Sequence, residues 1–358
     1  SPLAALLQMP ERIEMTISGD FFSIPIVDVT KLRTGSDSEQ KEAAKALGNA
    51  AREVGFVYVT GGGVDEALFD GVLDATKRFF ALPFEEKMKV YIGNSRNHRG
   101  YVPEGEEVFA SGSKDKKEAY DLSIDLPVDD PDYVAGNPLL GPNQWPDLPG
   151  FASAVDDYYR AVFALGRVLL RGFAMAIGEE PTFFDQYVTK PPSQLRLIHY
   201  PFDSSAEDRP GIGAHTDYEC FTLLRATCPG LEVMNGAGEW IDAPPVPGAY
   251  VVNIGDMMEI WTNGEFTATS HRVRKVPAER YSFPLFFAAD YHTVVAPLPR
   301  YVSGDAPLRQ SLKAGEHLFA QTMQSFTYLK ERRARGEIVL PEGSASLSSF
   351  GQEAKQKY

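Results

Sequence analysis

From Gln194 onward the chain changes texture, and that change limits the folds open to it. Short apolar runs at 195–200, 221–225, 231–234, 250–254, 269–276 and 282–288 recur between Gly, Pro and Asn. Such runs argue for antiparallel strands in a sandwich or barrel. The preceding half reads differently. Residues 36–54 carry Ala43, Ala46, Leu47, Ala50 and Val54 at helical spacing, and Gly55 tolerates the positive φ at which such a helix stops. A second amphipathic helix is expected over 65–80. The longest is expected over 151–178, where Val155, Tyr158, Tyr159, Val162, Leu165, Leu169 and Phe173 track a 3.6-residue period. Runs at 24–29, 56–59 and 119–126 read as strands, and 308–335 as a closing helix. Helices thus precede a β core without alternating βαβ units, which argues against a doubly wound dinucleotide fold. The expected class is mainly β with flanking helices. Its regions are helix and strand at 22–125, a loop and supporting helix at 126–190, the β core at 191–295, and a C-terminal helix and tail at 296–358.

Composition removes several functions. Hydrophobic residues make up 43% of the 358, which is ordinary for a globular chain. Lys and Arg number 35 against 49 Asp and Glu, a net charge of −14 with no basic block. Nucleic acid and anionic membranes are therefore poor partners. The most apolar helical stretch, 161–178, carries Arg167 and Arg171. A charge near a bilayer centre costs roughly 2.5–3.5 kcal/mol, so no membrane span is expected. Cys220 and Cys228 cannot form a disulfide framework, and their separation is not that of a zinc knuckle. The apolar patch Leu3 to Met9 lacks a basic leader and a small-residue cleavage site. The expectation is a cytoplasmic protein, monomeric or weakly dimeric, acting on a small molecule.

The chemistry-bearing residues are few. Among six histidines, His215 sits in His215-Thr216-Asp217. On an extended segment residues two apart share a face, so imidazole and carboxylate can converge on one ion. Alone this tripeptide is weak, and a surface His–Asp contact is the commoner reading. His271 lies in an alternating segment, Ala268 to Val273, and supplies a third ligand from a distant strand. Two His and one carboxylate suit non-haem Fe(II) with open positions, and zinc equally. Arg280-Tyr281-Ser282 then separates the two. A guanidinium and a hydroxyl on one side of a strand match a carboxylate, and a buried Arg facing a metal pocket needs an anion. Tyr200, two residues after Ile198, can add a second hydroxyl.

The ordered set His215-x-Asp217, His271 and Arg280-x-Ser282 resembles the Fe(II)/2-oxoglutarate oxygenases of the isopenicillin N synthase-like family. Supporting text is Ile24-Pro25-Ile26-Val27-Asp28, Gly55-Phe56, Leu195-Arg196 before His199-Tyr200-Pro201, and Val252-Asn253-Ile254-Gly255-Asp256. The resemblance covers about residues 22–295. It implies a distorted double-stranded β-helix (jelly roll), with His215, Asp217 and His271 on iron. It implies that Arg280, Ser282 and Tyr200 take the distal carboxylate of 2-oxoglutarate. O2 is the further cosubstrate, with ascorbate as a stimulant, and the products are succinate, CO2 and a hydroxylated, desaturated or cyclised small polar molecule. Ile198 stands where plant members often carry Asn, which leaves the keto-acid contact unassigned. The segment 99–108 is more similar to bacterial ethylene-forming-type and fungal nucleobase-hydroxylating relatives than to plant flavonoid enzymes.

Substrate-side expectations are Arg196, Tyr101, Glu107, Tyr218 and Phe287, with Tyr120 and Phe286 as further aromatics. Each has a plainer reading: an ion pair for Arg196, a solvated face for Glu104, Glu106 and Glu107, core for the aromatics. His98 reads as a solvated loop residue, His199 as a satisfied histidine beside the sheet, and Asp256 as a turn residue. The alternatives are a 2-oxoglutarate-independent iron oxidase, a non-catalytic small-molecule binder and a zinc hydrolase.

Overall fold

A computed structural model describes residues 21–108, 116–203, 210–274 and 277–344. The expectations for residues 3–9 and for the tail beyond 344 lie outside them. The strands are β1 (Ile26–Asp28), β2 (Phe56–Thr60), β3 (Gly100–Val102), β4 (Glu118–Leu122), β5 (Gln194–Tyr200), β6 (Pro210–His215), β7 (Phe221–Ala226) and β8 (Leu231–Met234). They continue as β9 (Trp240–Asp242), β10 (Tyr250–Ile254), β11 (His271–Arg274), β12 (Arg280–Phe287), β13 (Val294–Val295) and β14 (Leu312–Lys313). An eight-stranded sheet has the order β1-β2-β10-β7-β12-β5-β4-β3, and a four-stranded sheet the order β6-β11-β8-β9. Within these two sheets β1 and β2 pair in parallel, and the other pairs are antiparallel. Mainly antiparallel sheets with helices outside are the expected jelly-roll architecture.

Period-two alternation assigns the two faces of the large sheet. The even-numbered residues Gln194, Arg196, Ile198 and Tyr200 of β5, Thr222 and Leu224 of β7, and Arg280, Ser282, Pro284 and Phe286 of β12 line one cavity. The odd-numbered Leu195, Leu197, Phe221, Leu223, Phe283, Leu285 and Phe287 enter the hydrophobic core on the other face. There the Phe151–Ala176 helix covers them, with the Phe163 ring stacked on Phe287 at 5.0 Å. Phe287, expected near substrate, is therefore core.

Local signals explain the helix bounds. The Asp37–Glu53 helix opens on a capping box between Ser36 and Glu39. It stops at Gly55, whose φ is +75° and where a Cβ would lie 2.2 Å from the Thr267 carbonyl oxygen. Asp65 caps the Glu66–Phe80 helix. The closing helix expected over 308–335 is broken in two, Ala314–Met323 and Thr327–Ala334. The break bridges to the segment after β3: Glu107 pairs with Phe326, the Val108 N–H donates to the Ser325 carbonyl at 2.8 Å, and the Thr327 N–H to the Glu106 carbonyl at 3.1 Å. Backbone bonds made to residues 106–108 replace those a continuous helix would make internally.

Candidate functional site

The pairing of β6 with β11 builds the site. Their register sets His271 opposite His215, and the two imidazoles lie 4.3 Å apart between ring centroids. Asp217 follows β6 by two residues, and its Oδ1 is 3.5 Å from His215 Nε2 and 3.2 Å from His271 Nε2. One ligand atom from each of the three lies within 4.8 Å of the others. Such a cluster can hold a metal ion.

The surrounding groups orient each side chain. His215 Nδ1 bonds the Gly213 carbonyl at 2.9 Å, and His271 Nδ1 the Thr269 carbonyl at 3.1 Å. Each Nδ1 thus donates to a carbonyl, and each Nε2 faces Asp217 Oδ1, where a metal ion would take the place of the proton Nε2 otherwise carries. Asp217 Oδ2 accepts from the Thr222 hydroxyl at 2.5 Å and from Asn253 Nδ2 at 2.7 Å, which leaves Oδ1 facing the two imidazoles. Burial pushes the Asp217 carboxyl upward, but the His271 charge and the bonds to both histidines outweigh it and hold the group well below the usual carboxylate range. Thr222 and Asn253 escaped sequence reasoning because their role depends on the registers of β7 and β10. Asp256 is more than a turn residue: it opens the Asp256–Trp261 helix, accepts the Thr216 hydroxyl at 2.7 Å and meets His317 Nε2 at 3.2 Å.

The same cavity holds Arg280, Ser282 and Tyr200. Arg280 pairs across the sheet with Tyr200, and its guanidinium stands 5.1 Å from the centre of that ring. Arg280 is 2% exposed; Nε donates to the Cys228 carbonyl at 3.1 Å, and Nη1 has no partner among the described residues. A buried guanidinium with a free N–H is a receptor short of its anion. That orphaned donor, beside three groups with the donor chemistry for Fe(II), fits a dicarboxylate that also reaches the metal.

The substrate-side expectations divide. Arg196, Glu107 and Tyr218 line the cavity, with Lys117, Gln194, Glu219 and Phe286. Arg196 takes the ion-pair reading, with Nε on Asp121 at 2.7 Å and Nη2 on Glu107. Glu107 is not solvated but buried, with Lys117 at 2.8 Å. Burial pushes its carboxyl up, yet Arg196 and Lys117 bring it down to about 2. Asp121 behaves oppositely: burial, with repulsion from Glu107, raises it to about 6 despite Arg196. Tyr101 lies outside the cavity, buried on β3 with its hydroxyl donating to Glu118 at 2.8 Å. Tyr120 is core against Phe79 and Phe151. His98, read as solvated, is buried on the cavity wall, bonded to the Tyr328 hydroxyl and 3.8 Å from Asp121, and burial lowers it to about 3. His199 bridges Glu118 and Glu279 outside the cavity. Thr322 near the end of the Ala314–Met323 helix, with Ser325 and Phe326 from the break, completes the wall.

Comparison with known proteins decides the family. Residues 24–148 match the non-haem dioxygenase in morphine synthesis N-terminal model, and residues 191–289 match the 2OG-Fe(II) oxygenase superfamily model. The chain belongs to the 2OG-Fe(II) oxygenases. Homoarginine-6-hydroxylase 2-ODD-C23 of Glycine max is 37% identical over 331 residues, 87% of this chain and 99% of that protein. The 2-oxoglutarate-Fe(II) type oxidoreductase hxnY of Emericella nidulans is 35% identical over 286 residues, 77% of this chain and 82% of the relative. Among solved structures, a full-length Neurospora crassa protein in complex with alpha-KG and thymine superposes with a TM-score of 0.71 at 27% identity, covering 89% of this chain and 99% of the other. A 2OG-Fe(II) oxygenase family protein of Caulobacter crescentus reaches 0.74 at 30% identity, covering 89% and 100%. This oxygenase uses Fe(II), 2-oxoglutarate and O2 to oxidise a small molecule. Among its described residues no helix is long and apolar enough to cross a membrane.

Proposed function

We propose that this oxygenase holds Fe(II) through His215, Asp217 and His271, and the distal carboxylate of 2-oxoglutarate through Arg280, Ser282 and Tyr200. It oxidises a small, polar, nitrogen-containing substrate bound between Arg196, Glu107 and Tyr218. The observation that carries the metal and cosubstrate roles is the buried Arg280 with its orphaned Nη1, in one cavity with the three clustered ligand atoms. Bound iron, with 2-oxoglutarate and O2, supplies the oxidation of an inert C–H bond while the cosubstrate yields succinate and CO2.

The chain's own residues provide the rest. The Gly213 and Thr269 carbonyls fix the imidazole tautomers, and Thr222 with Asn253 fixes the carboxylate. Arg280 neutralises and orients the anionic end of the cosubstrate, with Ser282 beside it. The walls from both sheets and the C-terminal break exclude bulk water. The nitrogenous substrate is supported by two neighbours: the plant relatives carry the name homoarginine-6-hydroxylase, and the fungal structure holds thymine.

The deciding experiment measures Fe(II) uptake and 2-oxoglutarate affinity under nitrogen, then succinate release in air. Arg280→Ala should weaken 2-oxoglutarate about tenfold or more, since a hydrogen bond to a charged group is worth roughly 1.5–3 kcal/mol. Unchanged affinity would overturn the carboxylate assignment. Product formation without succinate would favour the cosubstrate-independent oxidase.

A further inference from the structure

On the substrate side of the cavity the charged groups mostly satisfy one another. Arg196 is taken up by Asp121 and Glu107, and Lys117 by Glu107. Glu219 differs. It is 3% exposed, lines the cavity, and its Oε2 has no hydrogen-bond partner among the described residues. Asp121 Oδ2 also lacks a hydrogen-bond partner there, but it is fully buried and does not line the cavity. A buried acceptor left unmade is costly, so one that faces a cavity points to a ligand that completes it.

The backbone gives Glu219 little freedom to turn away. The Asp256 N–H donates to the Asp217 carbonyl at 2.9 Å, the Met257 N–H to the Glu219 carbonyl at 3.1 Å, and the Cys220 N–H to the Phe287 carbonyl at 2.9 Å. Gly255 permits this approach, since a Cβ there would lie 2.1 Å from the Glu219 carbonyl oxygen. The carboxyl is thus held two residues from Asp217, on a segment tied to β12 and to the start of the Asp256–Trp261 helix. A group bonded to it would sit beside the clustered His and Asp side chains. Among the described residues, the two incomplete positions in the cavity have opposite needs. Arg280 Nη1 lacks an acceptor, and Glu219 Oε2 lacks a donor.

We propose that Glu219 is a substrate-binding residue that accepts a hydrogen bond from an N–H group of the substrate, which makes the substrate a nitrogenous compound presenting an ammonium, guanidinium or lactam N–H beside the metal cluster. This rests on the iron and cosubstrate assignment given above. The test loads the full chain with Fe(II) and 2-oxoglutarate under nitrogen. It is then titrated calorimetrically with L-arginine, agmatine, uracil and hypoxanthine, and with 1,3-dimethyluracil and 4-hydroxybenzoate as compounds without an N–H. Wild type should bind at least one N–H compound, and Glu219→Leu should weaken it about tenfold or more with 2-oxoglutarate affinity unchanged. Glu219→Gln keeps a carbonyl acceptor of the same shape and should hold the N–H compound within about threefold. Leu fills a similar volume and needs no partner, so an undiminished melting temperature checks the fold. The proposal fails if the Leu variant binds the N–H compounds as wild type does, or if wild type binds none of them. A wild-type chain that takes up neither Fe(II) nor 2-oxoglutarate would remove the underlying assignment instead.

Discussion

At the residue scale the site is a set of polar groups whose neighbours fix what each can bind. Asp217 has two donors on Oδ2, and the Asn253 amide is one of them. Asn253→Ala should therefore reduce metal affinity about 10- to 100-fold with little effect on folding, read by metal titration. His98 offers a test by pH. Its folded value is lowered to about 3 from an unfolded value of about 6.5, so the unfolded chain binds the extra proton first. Its stabilising contribution is complete above pH 6.5 and is lost as pH falls toward 3. Asp121, raised to about 6, acts in the other direction and costs stability as pH rises from about 3.8 to 6. His98 has a φ of +63°, a conformation Asn tolerates. His98→Asn should remove the histidine's part alone. Between pH 6.5 and 5 the variant should gain on wild type by about 1–2 kcal/mol in denaturant unfolding, and a parallel pair of profiles would refute the burial of a neutral imidazole.

At the element scale, alternation along β12 sorts function from core. Arg280, Ser282 and Phe286 face the cavity; Phe283, Leu285 and Phe287 face the Phe151–Ala176 helix. That parity was available in the sequence once Arg280-x-Ser282 was singled out, and counting on by twos reaches Phe286, not Phe287. The bounds of β8 and β10 were legible as apolar runs, as was the turn of Gly55. Strand β6 was not, because the chain before His215 is rich in Gly and carries no alternating apolar signal. His98 and Glu107 misread as solvated for a related reason. Polar loop composition says nothing of which partners the fold brings to it, and theirs are Tyr328 and Lys117, far along the chain or on another strand's approach. The helix-to-sheet packing carries its own prediction. Gly166→Ala would raise helix propensity by about 1 kcal/mol in isolation. Here the new Cβ would lie 2.4 Å from the Phe287 ring, which is stacked between Phe163 and Phe221 and cannot retreat. The substitution should cost roughly 1–3 kcal/mol, measured as a lower denaturant midpoint.

At the scale of the whole molecule, the catalytic half does not own its sheet. β10 pairs with β2, and β5 with β4, so strands from the first third of the chain occupy both margins of the large sheet. A fragment of residues 191–295 would expose both edges and the face that the Phe151–Ala176 helix covers. It should show no cooperative thermal transition by circular dichroism, whereas the full chain should. The closing wall tells of order in time. Ser325 and Phe326 are held on the cavity wall by backbone bonds to residues 106–108, so the segment after β3 and the break in the closing helix meet over it. On the ribosome, a nascent polypeptide that has already exposed His271, Arg280 and Ser282 carries every side chain proposed for iron and cosubstrate while its chamber is still open. Synthesis must run on past Phe326, and that segment must clear the exit tunnel, before the reactive centre is enclosed.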